Sequence, residues 1–86
     1  MSHKKDNLNI NAANMTLRDL RRTLGITIKS IEKEGACSRQ HFKRIENGNS
    51  PSFELIIEIA RALNVTPETV LRSIINTKEC AKTAHE

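Results

Sequence analysis

The sequence is poor in aromatic residues. Among its 86 residues it has two phenylalanines, no tryptophan and no tyrosine. A hydrophobic core must therefore be built almost entirely from the aliphatic side chains, which make up most of the 37% hydrophobic content. This composition favours one small helical domain. A domain of this size is marginally stable alone, and self-association often adds to its stability.

Cysteine is equally scarce, since Cys37 and Cys80 are the only two. Two cysteines so far apart do not make a disulfide framework. Cys37 and His41 are close in sequence, but no second ligand pair accompanies them, and a structural zinc site needs about four ligands. We therefore expect no metal and no other cofactor. Cys37 is expected at the start of a helix, where the helix dipole can lower the pKa of a thiol, so a redox role for it stays open.

Long apolar runs and catalytic motifs are also missing. No run approaches the length of a membrane span and no signal peptide is visible, so we expect a cytoplasmic chain with no membrane contact. The sequence shows no nucleophile–base pair, no carboxylate pair and no glycine-rich phosphate loop, and its three histidines are scattered. An enzyme is therefore not expected. What the chain does have is positive charge, with a net charge of +4 and a pI of about 9.4, which favours polyanionic partners.

The stretch from Thr27 to Gly48 predicts two short helices joined by a tight turn. With a helical period of about 100° per residue, Phe42 and Ile45 fall within about 40° of Ser38 and form a narrow apolar face. The opposite face carries Gln40, Lys43, Arg44 and Asn47. Such a stripe of guanidinium, ammonium and amide groups suits phosphates and base edges in a DNA major groove. A solvated surface helix has the same pattern.

Residues 17 to 71 resemble the Xre family, the helix-turn-helix class of phage repressors and Cro proteins. The segments that carry the resemblance are LRDLRRTLGIT, SRQHFKRIENG and PSFELIIEIARALNVTPETVL. The resemblance implies an all-α fold, a compact five-helix repressor-like DNA-binding domain whose helices 2 and 3 form the helix-turn-helix. Arg21 lies near the apolar face of the first helix and needs a partner there. The resemblance implies that this partner is Glu46, in an ion pair that fixes the orientation of the third helix.

We expect three segments along the chain. Residues 1–14 are polar and asparagine-rich without a helical period, which predicts a flexible N-terminal arm. Residues 15–75 are expected to form the helix-turn-helix domain. From Asn76 onward the apolar pattern fades, so residues 76–86 are expected to be a C-terminal tail.

Capping residues and apolar positions predict the other helix boundaries. The first helix should span about Thr16 to Leu24. The fourth should run from near Ser52 to Leu63 as the central packing element. Its residues expected in the core are Phe53, Ile56, Ile59, Ala60 and Leu63.

The fifth helix is predicted to begin after Thr66, because a proline at the first helical position and an acid in the first turn follow that residue. It carries four large apolar residues, and one small core cannot easily accept them all. We therefore expect a dimer interface at Val70, Ile74 and Ile75. The alternative is that these residues belong to the core.

The turn between the second and third helices departs from the family pattern. Gly35-Ala36 stands where a leucine-glycine pair is usual, and Ala36 would be strained in the left-handed conformation that glycine enters freely. Either Gly35 takes that conformation with a shifted turn, or the two helices cross at an altered angle. In addition, Glu32 replaces a usual small residue, and Ile28 replaces a glutamine that helps to hold the DNA backbone.

The candidate DNA-contacting residues follow from helix position and from the resemblance. The amino-terminal end of the third helix enters the major groove in this class, so Arg39 and Gln40 are expected to read bases, with Arg44 one turn later as a third reader. Arginine suits guanine and glutamine suits adenine. The residues expected to contact phosphate are Thr27, Lys29, Ser38, Lys43, Asn47, Asn49 and Ser50.

These observations favour a sequence-specific transcriptional regulator that binds double-stranded DNA. A chain of 86 residues has no room for an inducer-binding domain beside the helix-turn-helix domain. We therefore expect a Cro-like or controller-type regulator that acts as a homodimer on a palindromic operator. Two alternatives stay open. The chain could be the antitoxin of a toxin–antitoxin pair, which would add a toxin or co-regulator as protein partner, or an interaction module that keeps the fold without binding DNA.

Overall fold

The computed structural model describes residues 14–84 of the chain, with side chains through Ala81, and these residues form five helices. The helices are α1 (Leu17–Thr23), α2 (Ile28–Lys33), α3 (Arg39–Glu46), α4 (Phe53–Leu63) and α5 (Pro67–Ala84). Within these residues there is no strand, and the prediction of an all-α, five-helix domain is confirmed. Apart from Asn14, the predicted N-terminal arm lies outside the described residues. None of the five helices is long and apolar enough to cross a membrane.

Each of the first four helices begins after a hydroxyl-bearing cap residue. The caps are Thr16, Thr27, Ser38 and Ser52. Each cap oxygen accepts a hydrogen bond from the backbone N–H three residues later, at 3.1 to 3.2 Å. These bonds satisfy one of the amino-terminal N–H groups that have no partner inside a helix, and such a cap contributes about 1 kcal/mol. The helix starts read from the sequence therefore agree with the structure to within a residue.

The core is aliphatic except for Phe42, as the composition predicts. Its buried members are Leu17, Leu20, Ile31, Phe42, Ile45, Ile56, Ile59, Ala60, Leu63, Val70 and Ile74. Every helix contributes at least one of these residues, and α5 packs on both α4 and α1. Burying a side chain of this size contributes about 1.5 to 3 kcal/mol before the entropy cost of folding.

Phe53 was expected in this core and is instead 72% exposed. It is the first residue of α4. The helical period places it about 90° from the middle of the buried stripe that Ile56, Ile59 and Leu63 form. The prediction failed because an apolar residue at a helix start was counted with the core although it lies at the edge of the buried face.

Two of the three residues predicted for a dimer interface lie inside the monomer. Val70 is fully buried and Ile74 almost so, both within the core cluster. The prediction was wrong for these two because α5 packs on α4 and α1 together, so the monomer core takes both side chains. The large apolar residues that α5 leaves exposed are Leu71, at 46%, and Ile75, at 40%.

The helix α5 does not end near residue 75 but continues to Ala84. Thr77 lies in this continuation and is buried, and its hydroxyl accepts a hydrogen bond from the backbone N–H of Leu17 at 2.8 Å. One residue earlier, the amide of Asn76 donates to the carbonyl of Met15 at 2.9 Å. The boundary predicted at residue 75 is therefore corrected, because residues 76 and 77 attach α5 to the start of α1. The attachment uses polar groups, which a search for apolar periodicity does not detect.

In the turn between α2 and α3, Gly35 is the residue that adopts the left-handed conformation. Its φ is +88°, whereas Ala36 has no positive φ. The N–H of Gly35 bonds to the carbonyl of Glu32 at 2.9 Å and the N–H of Ala36 to that of Ile31 at 3.3 Å. This pair of bonds is the Schellman ending of a helix, in which glycine adopts the left-handed conformation without a Cβ penalty. The turn is therefore shifted by one residue from the family pattern.

Candidate nucleic-acid interface

The helix α3 has one buried and one exposed face, as predicted. Phe42 and Ile45 are buried, whereas the opposite face of the helix presents basic and amide groups to the solvent. Glu46 is the only acid of α3, and its side chain is only 2% exposed. The charged side chains that α3 exposes are therefore all positive.

Every residue predicted to contact DNA is exposed to solvent. The set is Thr27, Lys29, Ser38, Arg39, Gln40, Lys43, Arg44, Asn47, Asn49 and Ser50. They come from the start of α2, from α3 and from the loop that follows α3. Exposure is what a surface that meets DNA requires, and it leaves the individual roles of these residues as predictions.

The Glu46 carboxylate receives two arginines from α1. Arg21 Nε donates to Glu46 Oε2 at 2.8 Å and Arg18 Nε to Glu46 Oε1 at 3.3 Å. Arg21 also donates through Nη1 to the carbonyl of Ile26 at 3.0 Å. The structure thus brings Arg21 and Glu46 together and joins α1, the α1–α2 loop and α3. A buried carboxylate needs such compensation, because water no longer solvates its charge.

Arg18 was not singled out from the sequence. A signal was present, because Arg18 and Arg21 are three residues apart and therefore neighbours on the surface of a helix. Arg18 is 47% exposed and Arg21 only 12%. In a sequence, an exposed arginine cannot be told from any other surface charge. The ion pair between Arg18 and Glu46 could therefore be identified only from the structure.

A groove between α1, α2 and α3 is rich in positive charge. It is lined by Arg18, Arg21, Arg22, Ile28, Lys43, Glu46 and Asn47. Four of these residues are basic, and the single acid is already engaged by arginines. Ile28 lies in this groove at the position where the family pattern has glutamine. Arg22 was also missed, although its spacing of four from Arg18 places both on one side of α1.

The loop after α3 is held by α5. Lys78 Nζ donates to the carbonyl of Gly48 at 2.8 Å, and the N–H of Asn49 bonds to the carbonyl of Arg44 at 3.0 Å. Gly48 has a φ of +113°, and a Cβ added there would lie 3.1 Å from the Cβ of Ala81. Both observations favour glycine at this position. Lys78 could not be found from the sequence, because it lies in the segment predicted to be a tail.

Arg39, one of the expected base readers, meets an acid from the other helix of the motif. Its Nε lies 3.4 Å from Glu32 Oε1, and both side chains are largely exposed. Glu32 therefore does not occupy a buried helix crossing, and its longer side chain is accommodated by pointing outward. An exposed pair of this kind contributes about 0 to 1 kcal/mol to stability.

The structure does not favour the lowered pKa that the sequence leaves open for the Cys37 thiol. Partial burial raises the pKa of the Cys37 thiol, and the negative charge of Glu32 raises it further. The thiol therefore stays protonated near neutral pH, and the thiolate is the reactive form of cysteine. Among the described residues, no group of three or more potential ligands could hold a metal ion.

Residues 17–70 of the chain match the family model described as Helix-turn-helix. The matched region includes all of α1 to α4 and the start of α5, which is more than half of the chain. The chain belongs to this helix-turn-helix family. The Xre resemblance is thereby confirmed, and α2 and α3 are the two helices of the motif. No match was found among curated proteins or among solved structures.

Membership of the helix-turn-helix family identifies the chain as a DNA-binding regulator. The family is a regulatory one and not typically enzymatic. In this helix-turn-helix protein, α3 is the recognition helix and its exposed positive face is the candidate interface with DNA.

Proposed function

We propose that this helix-turn-helix protein is a transcriptional regulator of Cro-like or controller type, which binds a palindromic double-stranded operator as a homodimer. The observation that carries the proposal is the charge of α3. The exposed side of this helix presents cations and amides but no acid, while its own Glu46 is buried beneath two arginines. A helix that enters the major groove meets phosphates and base edges, and an exposed side of cations and amides suits both.

Arg39 and Gln40 are the proposed base readers. They are the first two residues of α3, follow the Ser38 cap and are exposed. In a helix-turn-helix complex the amino-terminal residues of the recognition helix contact base edges. The guanidinium of Arg39 suits O6 and N7 of guanine, and the amide of Gln40 suits N6 and N7 of adenine. Arg44, one turn later, is the third proposed reader.

Contacts with phosphate are proposed on both sides of α3. Lys43 borders the basic groove beside α1, and Asn47 lies between that groove and the loop anchored by Lys78. On the α2 side the proposed contacts are Thr27, Ser38 and Lys29, and in the loop they are Asn49 and Ser50. Such contacts supply affinity and orientation without sequence information.

The homodimer is proposed to form through α5. Leu71 and Ile75 are large apolar residues four positions apart, so they lie on one face of the helix, and both are substantially exposed. Ile75 also lines a groove with Asn47 and Asn49, next to the proposed phosphate contacts. A dimer formed there would place two recognition helices on one duplex. The half-sites of its operator are then expected about 34 Å apart, one turn of DNA.

Binding-site selection with the unmodified protein, followed by affinity measurements at several salt concentrations, tests the proposal. Arg39→Ala should cost about 1 to 3 kcal/mol on the selected operator and little on random DNA. Lys43→Ala should weaken both by similar factors and reduce the slope of log affinity against log salt by about one unit. Arg61→Ala is the control, because it removes an exposed arginine from α4, outside the motif, and should change neither quantity.

Two outcomes would contradict parts of this proposal. If Arg39→Ala leaves the selected motif unchanged and Arg44→Ala alters it, the assignment of the base-reading residues is wrong. If the unmodified protein binds no duplex even at low salt, the chain acts as a protein-interaction module that only keeps the fold.

A further inference from the structure

Glu32 is an unusual feature of this motif and lies close to the proposed reading residues. It belongs to the last turn of α2, where the family pattern has a small residue, and its carboxylate reaches Arg39 at the start of α3. Within the described part of the chain, this is the one ion pair that joins the two helices of the motif. On the DNA-facing surface, the residue with which this acid pairs is Arg39, the first residue of the recognition helix.

The atoms in contact determine which part of the guanidinium remains available. Glu32 Oε1 lies beside Nε of Arg39, at 3.4 Å. An arginine has five N–H donors, one on Nε and four on the two Nη atoms. A carboxylate at the Nε edge leaves the Nη donors at the far end of the group free of this contact. Two parallel N–H groups at that end match O6 and N7 of guanine.

The charge of Glu32 has a second consequence. An exposed arginine without a neighbouring acid can turn toward a phosphate as easily as toward a base, because both are acceptors within reach of a long, flexible side chain. A carboxylate beside Arg39 repels phosphate and partly neutralises the arginine. Contacts with the backbone are therefore disfavoured relative to contacts with a base, and negative discrimination of this kind is a recognised route to specificity.

We infer that Glu32 is a specificity-determining positioning residue, which holds Arg39 by its Nε edge so that the end of the guanidinium faces a guanine. The inference rests on the proposed function, in which Arg39 reads a base. Glu32 itself touches no DNA in this arrangement. It acts through Arg39 alone, and this dependence makes the inference testable by a double-mutant cycle.

The experiment measures affinity for the selected operator and for random DNA with Glu32→Gln, Arg39→Ala and the double variant. Glu32→Gln should lower the ratio of the two affinities about two- to fivefold, the range that an exposed ion pair can supply. Random-DNA affinity should rise in this variant, because Arg39 becomes free to bind phosphate. In the Arg39→Ala background, Glu32→Gln should leave the ratio unchanged. Glu34→Gln removes an exposed acid at the end of the same helix and should leave the ratio unchanged as well.

Glu32→Asp separates position from charge. The shorter side chain keeps the negative charge near the surface but shortens its reach toward Arg39, so the operator-to-random ratio should fall as it does in Glu32→Gln. Random-DNA affinity should stay near that of the unmodified protein. Since Glu32 is exposed, none of these variants should lower the thermal unfolding midpoint by more than a few degrees.

The outcomes are distinguishable. If Arg39→Ala lowers the ratio but Glu32→Gln does not, the positioning role is overturned and the proposed function stands. If Glu32→Gln lowers the ratio equally with and without Arg39, Glu32 acts by general charge and the inference is again overturned. If Arg39→Ala itself leaves the ratio unchanged, the proposed reading role of Arg39 fails, and the inference fails with it.

Discussion

The carboxylate of Glu46 shows how one residue connects sequence, packing and function. It is the only acid in the recognition helix and is almost completely buried, and it receives Arg21 at 2.8 Å and Arg18 at 3.3 Å. The two arginines differ in burial, since the side chain of Arg21 is 12% exposed and that of Arg18 is 47% exposed. A buried charge that loses its partner is costly, whereas an exposed charge is solvated again by water.

The first prediction concerns the stability of these three residues. Glu46→Ala should lower the free energy of unfolding by about 3 to 5 kcal/mol, because it leaves Arg21 partly buried without its partner. Arg21→Ala should cost a similar amount, because it leaves the carboxylate with only its weaker partner. Arg18→Ala should cost about 1 kcal/mol or less. Urea unfolding followed by circular dichroism measures all three, and equal costs for the two arginines would contradict the ranking.

At this scale the sequence was informative where geometry and family resemblance agreed. Arg21 lies near an apolar face, and the resemblance supplied Glu46 as its partner. Arg18 and Lys78 were missed because an exposed basic residue carries no sign of its partner in a sequence. For Cys37 the sequence left a lowered pKa open, whereas burial and the approach of Glu32, which both depend on tertiary packing, raise the pKa of the thiol.

Among the helices, α5 does more than close the core. Its continuation beyond residue 75 contacts both ends of the segment from α1 to α3. Thr77 accepts a hydrogen bond from the N–H of Leu17 at the start of α1, and Lys78 binds the carbonyl of Gly48 after α3. The N–H groups in the first turn of a helix have no partner within it, so Thr77 acts as a cap supplied from a distant part of the chain.

The second prediction tests this distant cap. Thr77→Val keeps the shape of the side chain but removes the oxygen, so the N–H of Leu17 loses its acceptor in a buried position. The free energy of unfolding should fall by about 1 to 3 kcal/mol. Thr77→Ser keeps the hydroxyl and is the matched control, with a smaller loss from one missing methyl group. Thermal unfolding distinguishes the two variants, and equal losses would show that the hydrogen bond contributes little.

Helix starts were predictable because capping is local, and the four hydroxyl caps stand immediately before their helices in the sequence. The extent of α5 was not predictable in this way, because polar residues attach its second half. The apolar residues of α5 were predicted to exceed what the core can hold, and this prediction was wrong for two of them. Val70 and Ile74 both fit the core, since how many side chains a core accepts depends on how three helices pack and not on the number of apolar residues in one of them.

At the scale of the whole molecule, the arrangement of the proposed dimer follows from what α5 leaves uncovered. Leu71 and Ile75 lie on one face, and Ile75 borders the groove that also contains Asn47 and Asn49. The dimer contact and the proposed phosphate contacts are therefore neighbours. Pairing through this face would fix the distance between the two recognition helices. It would do so next to the residues that are proposed to contact the DNA backbone.

The last prediction tests this pairing. Leu71→Lys combined with Ile75→Lys should give a folded monomer, because both side chains are exposed and the lysines would repel those of a second copy. Ile74 is left unchanged, since a lysine at this buried position would unfold the domain. Phe53→Lys is the control, because it also replaces an exposed apolar residue, but on α4.

Sedimentation should show a dimer for the unmodified protein and for the Phe53→Lys variant, and a monomer for the double variant. Operator affinity should fall about a hundredfold or more in the double variant, because the second recognition helix no longer benefits from a high effective concentration. Affinity for an isolated half-site should not fall, since the α3 surface is intact and the added lysines lie beside the proposed phosphate contacts. If the unmodified protein is monomeric both free and on its operator, the proposed dimer is wrong and the operator need not be palindromic.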